Sequence, residues 1–223
     1  MDITPASRVG DVAARHPLST RVFARHRIDF CCGGGVALER ACEERGLDVD
    51  RVLDEIAGEL RSASSETQAW SDAPTPELIR HIVDAYHVPL REELPRLEAM
   101  ALKVARVHAD KDPERLPALA ETVLALRTEL EDHMRREETE LFPALLERSD
   151  DAPAAAVPPS YLDEHESAGR ALARIRELTD EFRVPEQACN TWRALWHALA
   201  DLERTMHQHV HLENNILFRR ATA

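Results

Sequence analysis

The sequence predicts an all-helical chain, and three observations carry that prediction. Ala, Leu, Glu and Arg dominate the 223 residues, while seven glycines and two tyrosines leave little material for turn-rich β architecture. Through four long stretches, apolar residues recur at alternating steps of three and four, the spacing of one helix face. Prolines stand near the start of each stretch, where a missing N–H costs nothing, and polar breaks separate the stretches.

Residues 1–65 form a small N-terminal domain of short helices, expected at about Val9–Ala14, Ser19–His26, Val36–Arg45 and Asp48–Leu60. Pro17 and the Gly33-Gly34-Gly35 run punctuate them. So short a unit has little core of its own, and is expected to pack on the larger unit or on a partner. The polar stretch Ser62 to Thr75 (SASSETQAWSDAPT) reads as a linker, with residues 66–75 as the divide. Residues 76–223 hold the long amphipathic stretches, at about Pro76–Val107, Pro117–Arg148, Pro159–Phe182 and Pro185–Phe218. Four long helices joined by short breaks predict an up-down-up-down four-helix bundle.

Charge and cysteines narrow the function classes. A net charge of −13 argues against a nucleic-acid partner. No run of 18 apolar residues is present, so no membrane span is expected, and MDITPASRVGDVAARHP lacks the apolar centre of a signal peptide. Cys31 and Cys32 are adjacent and Cys42 and Cys189 isolated, which is no secreted disulfide framework; a reducing cytoplasm is the expected location. Monomer and homodimer are both compatible with the sequence.

Each predicted long helix places a histidine in its apolar stripe. The fourth reads Leu195, Leu199, Leu202, Met206, His209, Glu213, Ile216, and the second reads Val123, Leu126, Leu130, His133, Glu137, Leu141. The same His-x-x-x-Glu pair therefore stands twice in a buried seam. The first helix offers Ile79, Val83, Tyr86/His87, Leu90 and Leu94; the third offers Leu162, His165, Gly169, Leu172 and Ile175. An uncompensated buried carboxylate costs several kcal/mol, and metal ions are the best reason to place two of them there. Four histidines and two bridging glutamates from facing helices would hold two metals; such N/O donors suit iron, and by themselves separate it only weakly from manganese or a mixed site.

The remaining polar residues are secondary. His207 and His211 should point away from His209 into solvent, His81 is ambiguous, and His108 suits a helix-end or surface role. Glu138 and Glu140 fit a solvated face. Glu129, four before His133, and Glu164, beside His165, are either carboxylates that orient the ligands and handle protons, or plain surface charge. A helix starting after Gly33–Gly35 would set its positive end near Cys31 and Cys32 and favour thiolates for redox or iron transfer. Cys42 and Cys189 are expected to fill space.

HMRREETELFP, with DEHESAG and HQHVHLENNILF, resembles the hemerythrin-like cation-binding domain. DFCCGGG, VHADK and the HLENNILF ending narrow this further: the whole chain resembles the repair-of-iron-centres family of iron–sulfur cluster repair di-iron proteins. The resemblance implies a cytoplasmic stress-response protein that restores iron–sulfur clusters damaged by nitric oxide or oxidants. Its partners would be damaged iron–sulfur proteins and small molecules, nitric oxide or dioxygen. Carried over, the ligands are His87, His133, Glu137, His165, His209 and Glu213 around two non-haem irons with an oxo or hydroxo bridge, and Cys31 and Cys32 fall on the family's cysteine pair. Gly169 stands where oxygen-carrying hemerythrins have a further histidine, and its lack of a side chain implies an open position at one iron. Arg219 replaces a frequent proline. Iron donation and nitric oxide reductase-like redox activity are both compatible with this; the rival reading is a dioxygen- or nitric-oxide-binding carrier or sensor without repair activity.

Overall fold

The computed structural model describes residues 3–62, 70–147 and 157–222, so residues 63–69 of the expected linker and 148–156 of the following break lie outside the described residues. Among the described residues the chain is helical, with one isolated antiparallel bridge between Arg8 and Ala37. In order, the helices are α1 (Val9–Arg15), α2 (Ser19–Arg25), α3 (Leu38–Glu43), α4 (Val49–Ser62), α5 (Thr75–Ile82), α6 (Val88–His108), α7 (Arg115–Arg136), α8 (Phe142–Leu146), α9 (Pro159–Leu178), α10 (Asn190–Leu212) and α11 (Phe218–Thr222). π turns at Val83–His87, Glu137–Leu141 and Glu213–Leu217 run α5 into α6, α7 into α8 and α10 into α11. No helix among them is long and apolar enough to cross a membrane.

Two compact units emerge. One comprises Met1–Arg80, Asp151–Val157 and His207–Ala223; the other comprises His81–Asp150 and Pro158–Met206. The first unit has an apolar centre of Val9, Val12, Val22, Phe23, Ile28, Phe30, Leu38, Cys42, Val52 and Ile56. Cys42 fills space there, and burial pushes its thiol up. Helix α2 is tied to α4 by Arg25, which donates to Glu55 at 2.9 Å and Glu59 at 2.8 Å, and by His26 Nε2, 2.8 Å from Glu55. Helix α3 starts two residues later than expected. Ala37 is held extended, because the Val36 carbonyl accepts from Val9 N–H and the Leu38 N–H donates to Ser7 O. The C-terminal π turn and α11 belong to this unit, with Arg219 paired to Asp11 and Arg220 donating to the carbonyls of Trp70, Ser71 and Ala73.

In the second unit, side-chain pairs show the helices running antiparallel. Arg127 on α7 meets Glu98 on α6, and further along the chain Glu138, in the π turn after α7, meets His87, just before α6. Likewise Ser167 on α9 reaches Glu129 on α7, while Glu164, earlier on α9, reaches His133, later on α7. Arg176 near the end of α9 grips Glu203 on α10, and the Trp196 indole, earlier on α10, donates to the Thr179 carbonyl just past α9. This is the up-down-up-down order. Leu94, Leu97, Leu119, Val123, Leu126, Leu172, Ile175, Leu195, Leu199 and Leu202 fill the seam.

The expected stripes hold on α7 and α10 and shift elsewhere. On the first long helix Ile79, His87, Leu90 and Leu94 are buried as expected, but Val83 is only half-buried and Ile82 turns inward in its place. The five-residue step from Ile82 to His87 is the extra residue of the π turn, which a regular helical period cannot anticipate. On α9 Tyr161 is buried and Leu162 is exposed, a one-residue correction to the stripe. Helix α9 ends at Leu178, four residues before the expected Phe182. Asp180, Glu181 and Phe182 take φ of 51°, 60° and 59°, a left-handed turn that costs of order 1–2 kcal/mol per residue. Arg176 braces it, binding Glu181 at 2.7 Å and lying over the Phe182 ring at 4.8 Å. His108 is buried rather than on the surface, tilted against Trp192 with Nε2 3.2 Å from Cys189 Sγ; Cys189 itself is exposed and fills no space.

Leu97 is fully buried in this seam. Leu97→Ala is expected to lower unfolding free energy by about 2–5 kcal/mol in urea titrations followed by circular dichroism.

Candidate metal centre

In the second unit the bundle gathers His87, Glu137, His133 and His165, all buried; Glu137 and His87 have no exposure at all. His133 and Glu137 lie one turn apart across the junction of α7 with its π turn, and His87 closes the π turn before α6. The Nε2 atoms of His87 and His133 stand 3.5 and 3.3 Å from the two Glu137 oxygens, and the Nε2 atoms of His133 and His165 converge to 3.0 Å. In the first unit, His209 Nε2 lies 2.9 Å from Glu213 Oε1, again one turn apart, with Glu213 opening the third π turn and fully buried.

The outer faces of two of these rings are held alike. His87 Nδ1 meets Glu138 Oε1 at 2.7 Å, and Arg91 pairs with the same carboxylate. His133 Nδ1 meets Glu164 Oε2 at 2.7 Å, and Arg136 pairs with it. Burial opposes ionisation of Glu138, but Arg91 and His87 outweigh it and hold the carboxyl below its usual range. Burial opposes Glu164 as well, and His133 with Arg136 outweighs it in the same direction. A neutral imidazole that donates Nδ1–H outward presents its Nε2 lone pair inward, the arrangement that metal-binding histidines use. Phe142 stacks on His87 at 5.7 Å, and Tyr161 meets His133 edge-on at 5.7 Å while carrying the Arg136 guanidinium over its ring.

These residues fit a metal cation. Neither oxygen of the buried Glu137 carboxylate accepts a hydrogen bond, and the nearest groups are imidazole nitrogens whose lone pairs face it. Lone pairs and a bare carboxylate repel one another at this distance, and a divalent cation between them removes both the repulsion and the cost of the buried charge. Imidazole nitrogen with carboxylate oxygen is the donor set of iron and its neighbours.

The structure redistributes several expected roles. Glu164 holds a ligand-type ring, although the ring is His133 rather than its neighbour His165. Glu129 instead accepts from Ser167 Oγ at 3.2 Å. Glu138, expected on a solvated face, is the His87 partner; Arg91 one turn after His87 was the available signal. Tyr161 and Phe142 gave none beyond their apolarity. His211 is buried rather than exposed, because the first unit covers it: its Nδ1 meets Phe30 O at 3.1 Å, and burial lowers its pKa to about 4. His207 lies edge-on to the Phe30 ring.

The cysteine pair also departs from expectation. Helix α3 begins only at Leu38, and the partner of Cys31 is a carboxylate rather than a helix end. Cys31 is buried, and both its N–H and its Sγ bond Asp29 Oδ1, at 2.9 and 3.2 Å. The hydrogen bond with Cys32, burial and the Asp29 charge all push the Cys31 thiol well above its ordinary range, so it is a protonated thiol rather than a thiolate. At pH 8, iodoacetamide is therefore expected to label exposed Cys189 at least about tenfold faster than Cys31, since the thiolate is the reactive form; peptide mass spectrometry of timed samples reads the two rates.

Comparison with known proteins agrees with this geometry. Residues 78–221 match the hemerythrin HHE cation-binding domain, and residues 6–59 match ScdA_N, a domain of unknown function. The iron–sulfur cluster repair protein YtfE of Pectobacterium atrosepticum is 39% identical over 96% of this chain and 95% of its own, and that of Edwardsiella ictaluri is 41% identical over the same shares. The iron–sulfur cluster repair protein ScdA of Staphylococcus haemolyticus is 35% identical over 98% of this chain and 99% of its own. With both domains matched and relatives aligned nearly end to end, the chain belongs to the iron–sulfur cluster repair family, with a hemerythrin HHE domain as its larger part.

Proposed function

We propose that this protein repairs damaged iron–sulfur clusters by means of two iron ions held in its bundle. The observation that carries the reading is the Glu137 carboxylate, wholly buried and accepting no hydrogen bond while ring nitrogens of His87 and His133 face it. His87, His133, Glu137 and His165 would supply one part of the ligand set, and His209 and Glu213 the rest. Supporting the union, the cation-binding match spans all six residues, and each His-x-x-x-Glu pair ends on a π turn. The relatives' names supply the repair of iron–sulfur clusters, and their near-complete alignment extends it to this chain.

Bound iron would supply one-electron redox chemistry and a store of metal for rebuilding a cluster. The chain's own residues do the positioning. Glu138 and Glu164 fix two rings with Nε2 inward, and Arg91 and Arg136 keep those carboxylates ionised. Phe142 and Tyr161 exclude water from the ring faces. Gly169, one turn past His165, contributes no donor side chain, which suits an open position for a small molecule such as nitric oxide or dioxygen. Cys31 is held as a thiol whose proton is directed at Asp29 Oδ1, and a metal cation would be bound there only with that proton given up to the carboxylate, which suits the pair to iron transfer rather than to standing as a nucleophile.

Metal analysis after anaerobic purification is expected to give about two irons per chain in the wild type, the count the proposed site calls for, and none in His133→Ala/Glu137→Ala of unchanged helicity. Iron retained by that variant removes the assignment. Glu138→Gln and Glu164→Gln should each weaken iron binding by about 10–100-fold in chelator competition. With a nitric-oxide-damaged iron–sulfur dehydratase as substrate, Cys31→Ser/Cys32→Ser should lose restoring activity while keeping its iron; undiminished restoration would take the thiols out of the mechanism.

A further inference from the structure

Asn215 lies within the third π turn, two residues after Glu213. Its Nδ2 donates to the carbonyls of Phe30 and Cys31, each at 3.1 Å. His211, two residues before Glu213, reaches the same Phe30 carbonyl through Nδ1 at 3.1 Å. The other end of the Asn215 amide sits where side chains are missing. A Cβ on Gly10 would meet its Oδ1 at 2.4 Å, and one on Gly34 would meet it at 3.2 Å and the Phe30 carbonyl at 2.7 Å. Gly10 N–H donates to Gly34 O at 2.7 Å, which closes the two glycines on each other. Helix α1 and the turn after the cysteines thus form a socket shaped for one carboxamide. Its two donated hydrogen bonds go to the backbone of the cysteine turn. Aspartate, the isostere, has no N–H to give and would set a negative oxygen against two carbonyls.

We propose that Asn215, seated between Gly10 and Gly34, is a positioning residue that couples the Cys31–Cys32 turn to Glu213, so that a chemical change at the thiols alters the hold of Glu213 on its metal. The Phe30 and Cys31 carbonyls cannot move without drawing on Asn215, and Asn215 shares its helical turn with Glu213. That turn carries an extra residue, a local departure from the α ladder that recurs at functional sites. The coupling rests on Glu213 being a metal ligand, as proposed above.

The test uses the full-length protein with Cys189→Ser as background, loaded with iron, before and after alkylation of the cysteine pair by iodoacetamide. Release of iron to a chelator and the visible spectrum are followed. In the background protein, alkylation should speed release by about tenfold, the size of effect that removing a ligand's outer partner produces. Asn215→Asp should release iron at the faster rate already, and alkylation should add nothing; Gly10→Ala, which closes the socket, should do the same. Release unaffected by alkylation in the background protein, or full response retained by Asn215→Asp, overturns the coupling. If the background protein takes up no iron, the proposed function falls, and the socket is judged on the metal-free chain. There, at unchanged far-ultraviolet circular dichroism, Asn215→Asp should raise the alkylation rate of buried Cys31 by about tenfold, since exposure and thiolate fraction set that rate. An unchanged rate overturns the socket.

Discussion

A carboxylate with no exposure, set in a seam of leucines, is the constraint around which the second unit is organised. Unpaired, the Glu137 charge would cost several kcal/mol, a large share of a typical domain's net stability. The surrounding residues answer that cost in layers. Imidazole nitrogens on two helices face the carboxylate, Glu138 and Glu164 hold those rings from behind, and Arg91 and Arg136 hold the carboxylates at the edge of solvent. Outward from Glu137, each of these two rings meets a carboxylate and each of those carboxylates meets a guanidinium, so only the innermost group of this stack lacks a partner. The innermost is the one a cation completes.

The π turns are the backbone's part in the same arrangement. His87 closes the first, Glu137 opens the second and Glu213 opens the third. Pro89 and Pro143 follow two of them, and a proline ring in a regular helix would press on the carbonyl four residues back, a clash that a wider turn relieves. Arg219 occupies the corresponding place after the third, which forms nonetheless. Proline therefore accompanies the widening without being required for it. The extra residue rotates the helix so that a buried ligand-type side chain and the leucines or phenylalanines after it, such as Leu141 and Phe142, can all face inward.

In the first unit the cysteine pair is held less as an exposed reagent than as part of a packed corner. Asp29 binds Cys31 through backbone and sulfur, and the Phe30 and Cys31 carbonyls are taken up by residues flanking Glu213. Residues almost two hundred positions apart in sequence thereby share one set of hydrogen bonds.

The sequence by itself determined the helical class, the four-helix order and the His-x-x-x-Glu pairs on the second and fourth helices. These follow from short-range periodicity: Leu126, Leu130, His133 and Glu137, like Leu202, Met206, His209 and Glu213, lie within a few turns of one another, and spacing alone assigns them to one face. What only the tertiary structure decided depends on contacts between distant segments. Glu138 rather than Glu129 orients a ring because of where α6 meets α7. Cys31 is a thiol because its hydrogen bond with Cys32, burial and the Asp29 charge oppose its ionisation, whereas the glycines after it suggested a helix end. His211 is buried because the N-terminal helices cover it, and Gly10 is glycine because the Asn215 amide fills the space of its side chain. The five-residue step from Ile82 to His87 belongs with these, since a period of 3.6 residues has no place for it until packing selects which side chain turns inward.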